Sequence, residues 1–138
     1  MSIRPWPFSL ATVAVLVSCT SNPVCACDPV IPSARIHGVV QGPGGAAVPG
    51  ARVTAQASSA ACAAPFYLIG EGFTDADGRF HAEVLRGDPR FSGVCLRAFA
   101  TPPAGSTLRG SDTVAFTVRF AADAPLDSAR VDLALRAP

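Results

Sequence analysis

Ile36–Gln56 reads IHGVVQGPGGAAVPGARVTAQ, and Gly72–Leu85 reads GFTDADGRFHAEVL. In the first stretch a short apolar segment breaks into the turn-rich QGPGGAAVPG, Gln41–Gly50, and resumes as ARVTAQA, Ala51–Ala57. There Val53, Ala55 and Ala57 alternate with Arg52, Thr54 and Gln56, the period-two pattern of a strand with one face in a core. In the second stretch Asp77-Gly78 supplies the positive backbone angle of a tight hairpin turn. The segment RFHAEVL that follows directs Phe80, Ala82 and Val84 inward and Arg79, His81 and Glu83 outward. Both stretches therefore predict strand, turn and strand.

The same grammar runs to the C-terminus. PFYLIGEGF, Pro65–Phe73, precedes the hairpin turn, and VCLRAFA, Val94–Ala100, follows it with Val94, Leu96 and Ala98 on one face and Cys95 on the other beside Phe99. TVAFTVRF places Val114, Phe116, Val118 and Phe120 together, and ARVDLALR does the same for Val131, Leu133 and Leu135. No helical spacing occurs after the first eighteen residues. A chain of 138 residues supports one ordinary domain, and its alanine-rich, aromatic-poor composition predicts a small aliphatic core. The expected architecture is an all-β, antiparallel sandwich of about seven strands over residues 34–138.

These residues resemble the carboxypeptidase regulatory-like domain. That family carries G-x-V, then G-x-P-x-x-G-A-x-V, then T-D-x-x-G-x-F; Gly38-Val39-Val40, Val48-Pro49-Gly50-Ala51 and Thr74-Asp75 with Gly78 and Phe80 stand in those places. The proline of the second motif falls two residues later than the family's usual position, and no motif lies in the second half of the match. The resemblance implies a transthyretin-like sandwich with Greek-key connections and a module without catalysis of its own. The residues agree: Gly50 ends a turn, Ala51 is small enough to tuck under it, and Asp75 and Asp77 are placed to brace the next turn by bonds to backbone amides.

At the other end, Met1–Ser18 carries Arg4 and then FSLATVAVLV, Phe8–Val17, about ten apolar residues, the length of a secretory h-region and half the roughly twenty that span a bilayer. Leu16-Val17-Ser18-Cys19 resembles the lipobox of bacterial lipoprotein signals. The resemblance implies a signal peptide over 1–18, removal before Cys19, acylation of the Cys19 thiol and amine, and a lipidated tether over 19–33. The tether is proline-rich and without periodicity. Multiple acyl chains, palmitate among them, make such an anchor stable. Thr20 in the following position favours the outer over the inner membrane of the cell envelope. The alternative is ordinary secretion, with cleavage within VSCTSNP or CAC.

Lipidation also accounts for an odd cysteine among five. Cys25, Cys27, Cys62 and Cys95 remain, in a compartment where disulfides persist, and three connectivities are open. Cys25 and Cys27 are one residue apart and would form a strained small ring, so Cys62 with Cys95 is the preferred bond. Cys-Ala-Cys is a conceivable soft-metal site, but without a nearby histidine no metal is expected there.

All eleven basic residues are arginines; ten outside the leader face ten acids, with no clustering of either sign. This argues against a nucleic-acid partner, which requires a basic face. Asp75–Gly78 lacks the ligands of a calcium loop, since Arg79 and Arg86 stand where oxygens are needed. The first strands also resemble the opening of intradiol dioxygenases, a family that binds iron with two tyrosines and two histidines. Here only Tyr67, His37 and His81 exist, so that set cannot be assembled, and no zinc-peptidase motif is present. His37 and His81 alternate onto outward faces beside Arg35 and Glu83, as exposed polar strand positions do. No catalytic residue, cofactor or metal is expected. The function expected is a lipid-anchored envelope module for protein binding or structural support, with Arg86–Ser92 and Thr101–Ser111 as presenting loops. The alternative is a small-ligand or carbohydrate receptor built around Tyr67. An enzyme would require His37, His81 and an acid to come together.

Overall fold

The computed structural model describes residues 30–58, 62–87 and 95–138. The leader, the lipobox, Cys19, Cys25 and Cys27 lie outside the described residues, as does most of the Arg86–Ser92 loop. Strands β1 (Ser33–Gln41), β2 (Arg52–Ser58), β3 (Tyr67–Phe73), β4 (Arg79–Leu85), β5 (Cys95–Thr101), β6 (Val114–Phe116), β7 (Ser128–Arg130) and β8 (Leu133–Ala134) form two sheets. The order in one is β4-β1-β7, with β8 also pairing β1, and in the other β3-β2-β5-β6. Among the described residues the only helical turn is a short 3-10 segment at Pro43–Gly45, and no helix is long and apolar enough to cross a membrane. The chain is an all-β, sandwich-like fold.

The alternation read from the sequence sets the core. Ile36 and Val40 of β1, Phe80, Ala82 and Val84 of β4, and Val131, Leu133 and Leu135 near the C-terminus are buried from one sheet. Val53, Ala55 and Ala57 of β2, Ile69 of β3, and Leu96, Ala98 and Ala100 of β5 meet them from the other. Small side chains pair across β2 and β5, Ala55 opposite Ala98 and Val53 opposite Ala100, and among the described residues Phe80 is the one aromatic side chain completely enclosed.

Three expectations are corrected. The turn at Asp75–Arg79 forms, with the Asp75 N–H donating to the Arg79 carbonyl at 2.8 Å, but it does not close a hairpin: β3 pairs with β2, β4 with β1, and the turn passes between sheets. The two strands meet instead backbone to backbone. A Cβ on Gly72 would lie 2.8 Å from the His81 carbonyl oxygen, and one on Gly70 would overlap that of Glu83. Two glycines on one face of β3 let the sheet edges touch without a ladder.

Secondly, the sandwich is not wholly antiparallel, because β7 and β8 run parallel to β1. The chain leaves the second sheet after β6, crosses between residues 117 and 127, and enters the first sheet at the end where β1 begins; Ser33 and Ala121 exchange backbone bonds of 2.8 and 3.1 Å there. Thirdly, that crossing shortens the strand expected over TVAFTVRF to Val114–Phe116. Val118 is still buried, whereas Val114 is exposed.

The two motif stretches converge at one end of the sandwich. Thr74, buried, donates its hydroxyl to the Val48 carbonyl (2.6 Å) and accepts the Ala51 N–H (2.8 Å). The Val40 N–H donates to the Gly78 carbonyl (2.7 Å), and Gly78 has φ +72°. Asp75 braces the turn through Oδ1, which accepts the Asp77 and Arg79 N–H groups, each at 2.9 Å. At the other end Cys62 and Cys95 form the expected disulfide. The Arg97 guanidinium lies 3.1 Å from the centre of the Phe66 ring and donates to Gln56 Oε1 through Nε (3.0 Å) and Nη2 (2.7 Å). The segment leading into β3 is thus fastened to the outer face of the second sheet.

Candidate functional site

The outer face of the β4-β1-β7 sheet brings both histidines together with arginine, glutamate and serine side chains. Its rows follow from register. Arg35 stands opposite Glu83 and beside Ser128; His37 stands opposite His81 and beside Arg130; Val39 stands opposite Arg79. Inward neighbours Ile36, Ala82 and Phe80 are buried, so the odd-numbered residues of β1 and β4 point away from the core.

The histidine pair is of the non-hydrogen-bonded kind. The His37 carbonyl accepts the Val131 N–H at 2.8 Å, on the side of β1 away from β4. A residue's N–H and C=O point to the same side of its strand, so His37 makes no ladder bond to His81. Opposed residues of this kind have Cα atoms about 4.5 Å apart and the closest side chains in an antiparallel pair.

An open hollow of about 360 Å³ is lined by Arg35, His37, His81, Glu83, Leu126 and Ser128, and a smaller one of about 120 Å³ by the same histidines with Arg79 and Arg130. Charge on this face is largely balanced. Arg130 Nε lies 2.9 Å from Asp132 Oδ2, and Asp132 Oδ1 accepts the Val39 N–H at 3.2 Å. Ser128 shares the larger hollow with the histidines, and among the described residues no hydrogen bond joins it to either imidazole.

The outward placement of His37 and His81 agrees with their alternation; their meeting does not follow from it. Arg35 and Glu83 accompany them, so both histidines and an acid do come together on this face, the condition an enzyme would require. Arg130, Ser128 and Leu126 carried no local signal, since they reach this face only through the parallel pairing of β7. Tyr67 lies on β3 in the other sheet, 44% exposed, and lines neither hollow. Among the described residues no group of three or more histidine, cysteine or acidic side chains is placed to hold a metal ion.

No protein-family model matches the chain, and no curated protein matches it. Solved structures similar to it include the dioxygenase domain of a dioxygenase carbohydrate-binding protein fusion from Streptomyces sp. SirexAA-E (16% identity, 78% of this chain and 81% of that one, TM-score 0.43). Chlorocatechol 1,2-dioxygenase from Pseudomonas putida matches at 11% identity over 78% of this chain, TM-score 0.46. A 3-chlorocatechol 1,2-dioxygenase from Rhodococcus opacus 1CP matches at 14% over the same share, TM-score 0.45. The chain spans 61% of the length of each of these last two. Likenesses of this degree carry no functional argument.

Proposed function

We propose that the chain is a non-catalytic β-sandwich module, held at the cell envelope by lipid on Cys19, which presents one sheet face and its neighbouring loops to an envelope protein. The carrying observation is the openness of the face: its charged and polar residues lie on a broad outer sheet surface. Loop Thr101–Ser111 suits presentation, because it is held by its own bonds, Ser106 N–H to the Pro103 carbonyl (3.1 Å) and Ser111 N–H to the Ala100 carbonyl (3.0 Å). We read the topology as that of the transthyretin-like, regulatory-like family, taking β7 and β8 as one interrupted strand, which gives seven lines of chain.

The test is the intact mass of the protein from its native membranes, before and after reduction with alkylation, beside a Cys19→Ser variant. The expected outcome is a chain beginning at Cys19 with added acyl mass, and release of the variant into the soluble fraction. An unacylated chain beginning elsewhere would overturn the anchor. The larger hollow, with Arg35, His37, Glu83 and Ser128 around it, favours a small polar ligand as the second reading. Saturable binding of a sugar or small acid, abolished by Arg35→Ala, would replace the protein-partner reading with that one.

A further inference from the structure

His37 and His81 are used as a pair by nothing in the module reading. We infer that their imidazoles form a bidentate, solvent-facing site for a late first-row divalent cation, with Cu2+ held most tightly. Register carries the argument. The two residues are directly opposed at a non-hydrogen-bonded position, where Cβ atoms lie about 4.5–5.5 Å apart. A metal bonded to nitrogen at about 2.0–2.1 Å needs the two ring nitrogens roughly 3 Å apart, a separation that two imidazoles leaning together from such positions span.

Ligand chemistry and charge agree with this. Neutral imidazole suits Cu2+, Ni2+ and Zn2+, with Cu2+ first in the order of affinity, and a site open to solvent leaves the remaining coordination positions to water. Every charged group facing the pair from the three strands is accounted for. From β1, Arg35 is matched by Glu83 of β4; from β7, Arg130 is held by Asp132; Arg79 of β4 is the remaining cation. The two carboxylates offset most of the repulsion that three guanidinium groups would exert on a metal ion. Two opposed histidines differ from the two-tyrosine, two-histidine iron set in number and type of ligand.

The experiment uses the full chain without a polyhistidine tag, with the thiols outside the Cys62–Cys95 bond alkylated so that Cys19, Cys25 and Cys27 cannot compete. Cu2+ is titrated in competition with a colorimetric chelator, and the complex is examined by electron paramagnetic resonance. The expected result is one equivalent of Cu2+ with two nitrogen donors, weakened at least about tenfold in His37→Gln and in His81→Gln, with affinity falling from Cu2+ to Zn2+. Unchanged binding in the double variant would overturn the proposal. So would failure of the wild type to take up Cu2+, or a wild-type spectrum with fewer than two nitrogen donors, neither of which depends on how a variant folds.

Discussion

Thr74 is the residue that ties the two deciding stretches together. Its hydroxyl both donates and accepts inside the fold, so a valine there would fill the space and leave the Ala51 N–H and the Val48 carbonyl unpaired. Thr74→Val is expected to lower stability by about 2–4 kcal/mol, the cost of stranding two buried backbone groups, while Thr74→Ser, which keeps the oxygen, loses much less. Urea unfolding of the two variants checks this, and equal losses would show that the methyl contact matters as much as the bonds. The aspartates were readable as turn residues, and Asp75 behaves so. Thr74 was readable only as a motif letter, because its partners lie 23 and 26 residues away and no local pattern names them.

At the scale of elements, β3 and β4 show how two strands separated by a tight turn end in different sheets. Their contact depends on the absence of side chains at Gly70 and Gly72. Gly70→Val should force the sheet edges apart and cost about 2–4 kcal/mol. Gly87→Ala, where a Cβ meets nothing within 4 Å among the described residues, should stay within about 0.5 kcal/mol. Thermal unfolding of both variants gives the comparison; a neutral Gly70→Val would mean that the edges are not in contact. The strand grammar over β1, β2, β4 and β5 was legible because each has one buried face and so imposes period two. The pairing of β3 was not legible, since only Ile69 of its apolar residues is buried in the core.

For the molecule as a whole, the small aliphatic core makes the disulfide a large contributor. Cys62 and Cys95 are 33 residues apart, and closing a loop of that size contributes about 3–4 kcal/mol in the chain-entropy model. Cys62→Ser with Cys95→Ser should lower Tm by about 12–25 °C for a domain of this size, and the reduced wild type should match it in calorimetry. A loss of only a few degrees would mean that the Arg97–Phe66 stack and the Arg97–Gln56 bonds already close the loop. Sequence alone determined the all-β class, the inward and outward sides of most strands, the turns and the preferred cysteine pair, because each depends on neighbours along the chain or on a composition that leaves few choices. Tertiary structure decided which strands share a sheet, the parallel entry of the C-terminal segment, and the meeting of His37 with His81. Register joins residues 44 apart, and it is set by burying two whole faces at once, an energy that no single stretch contains.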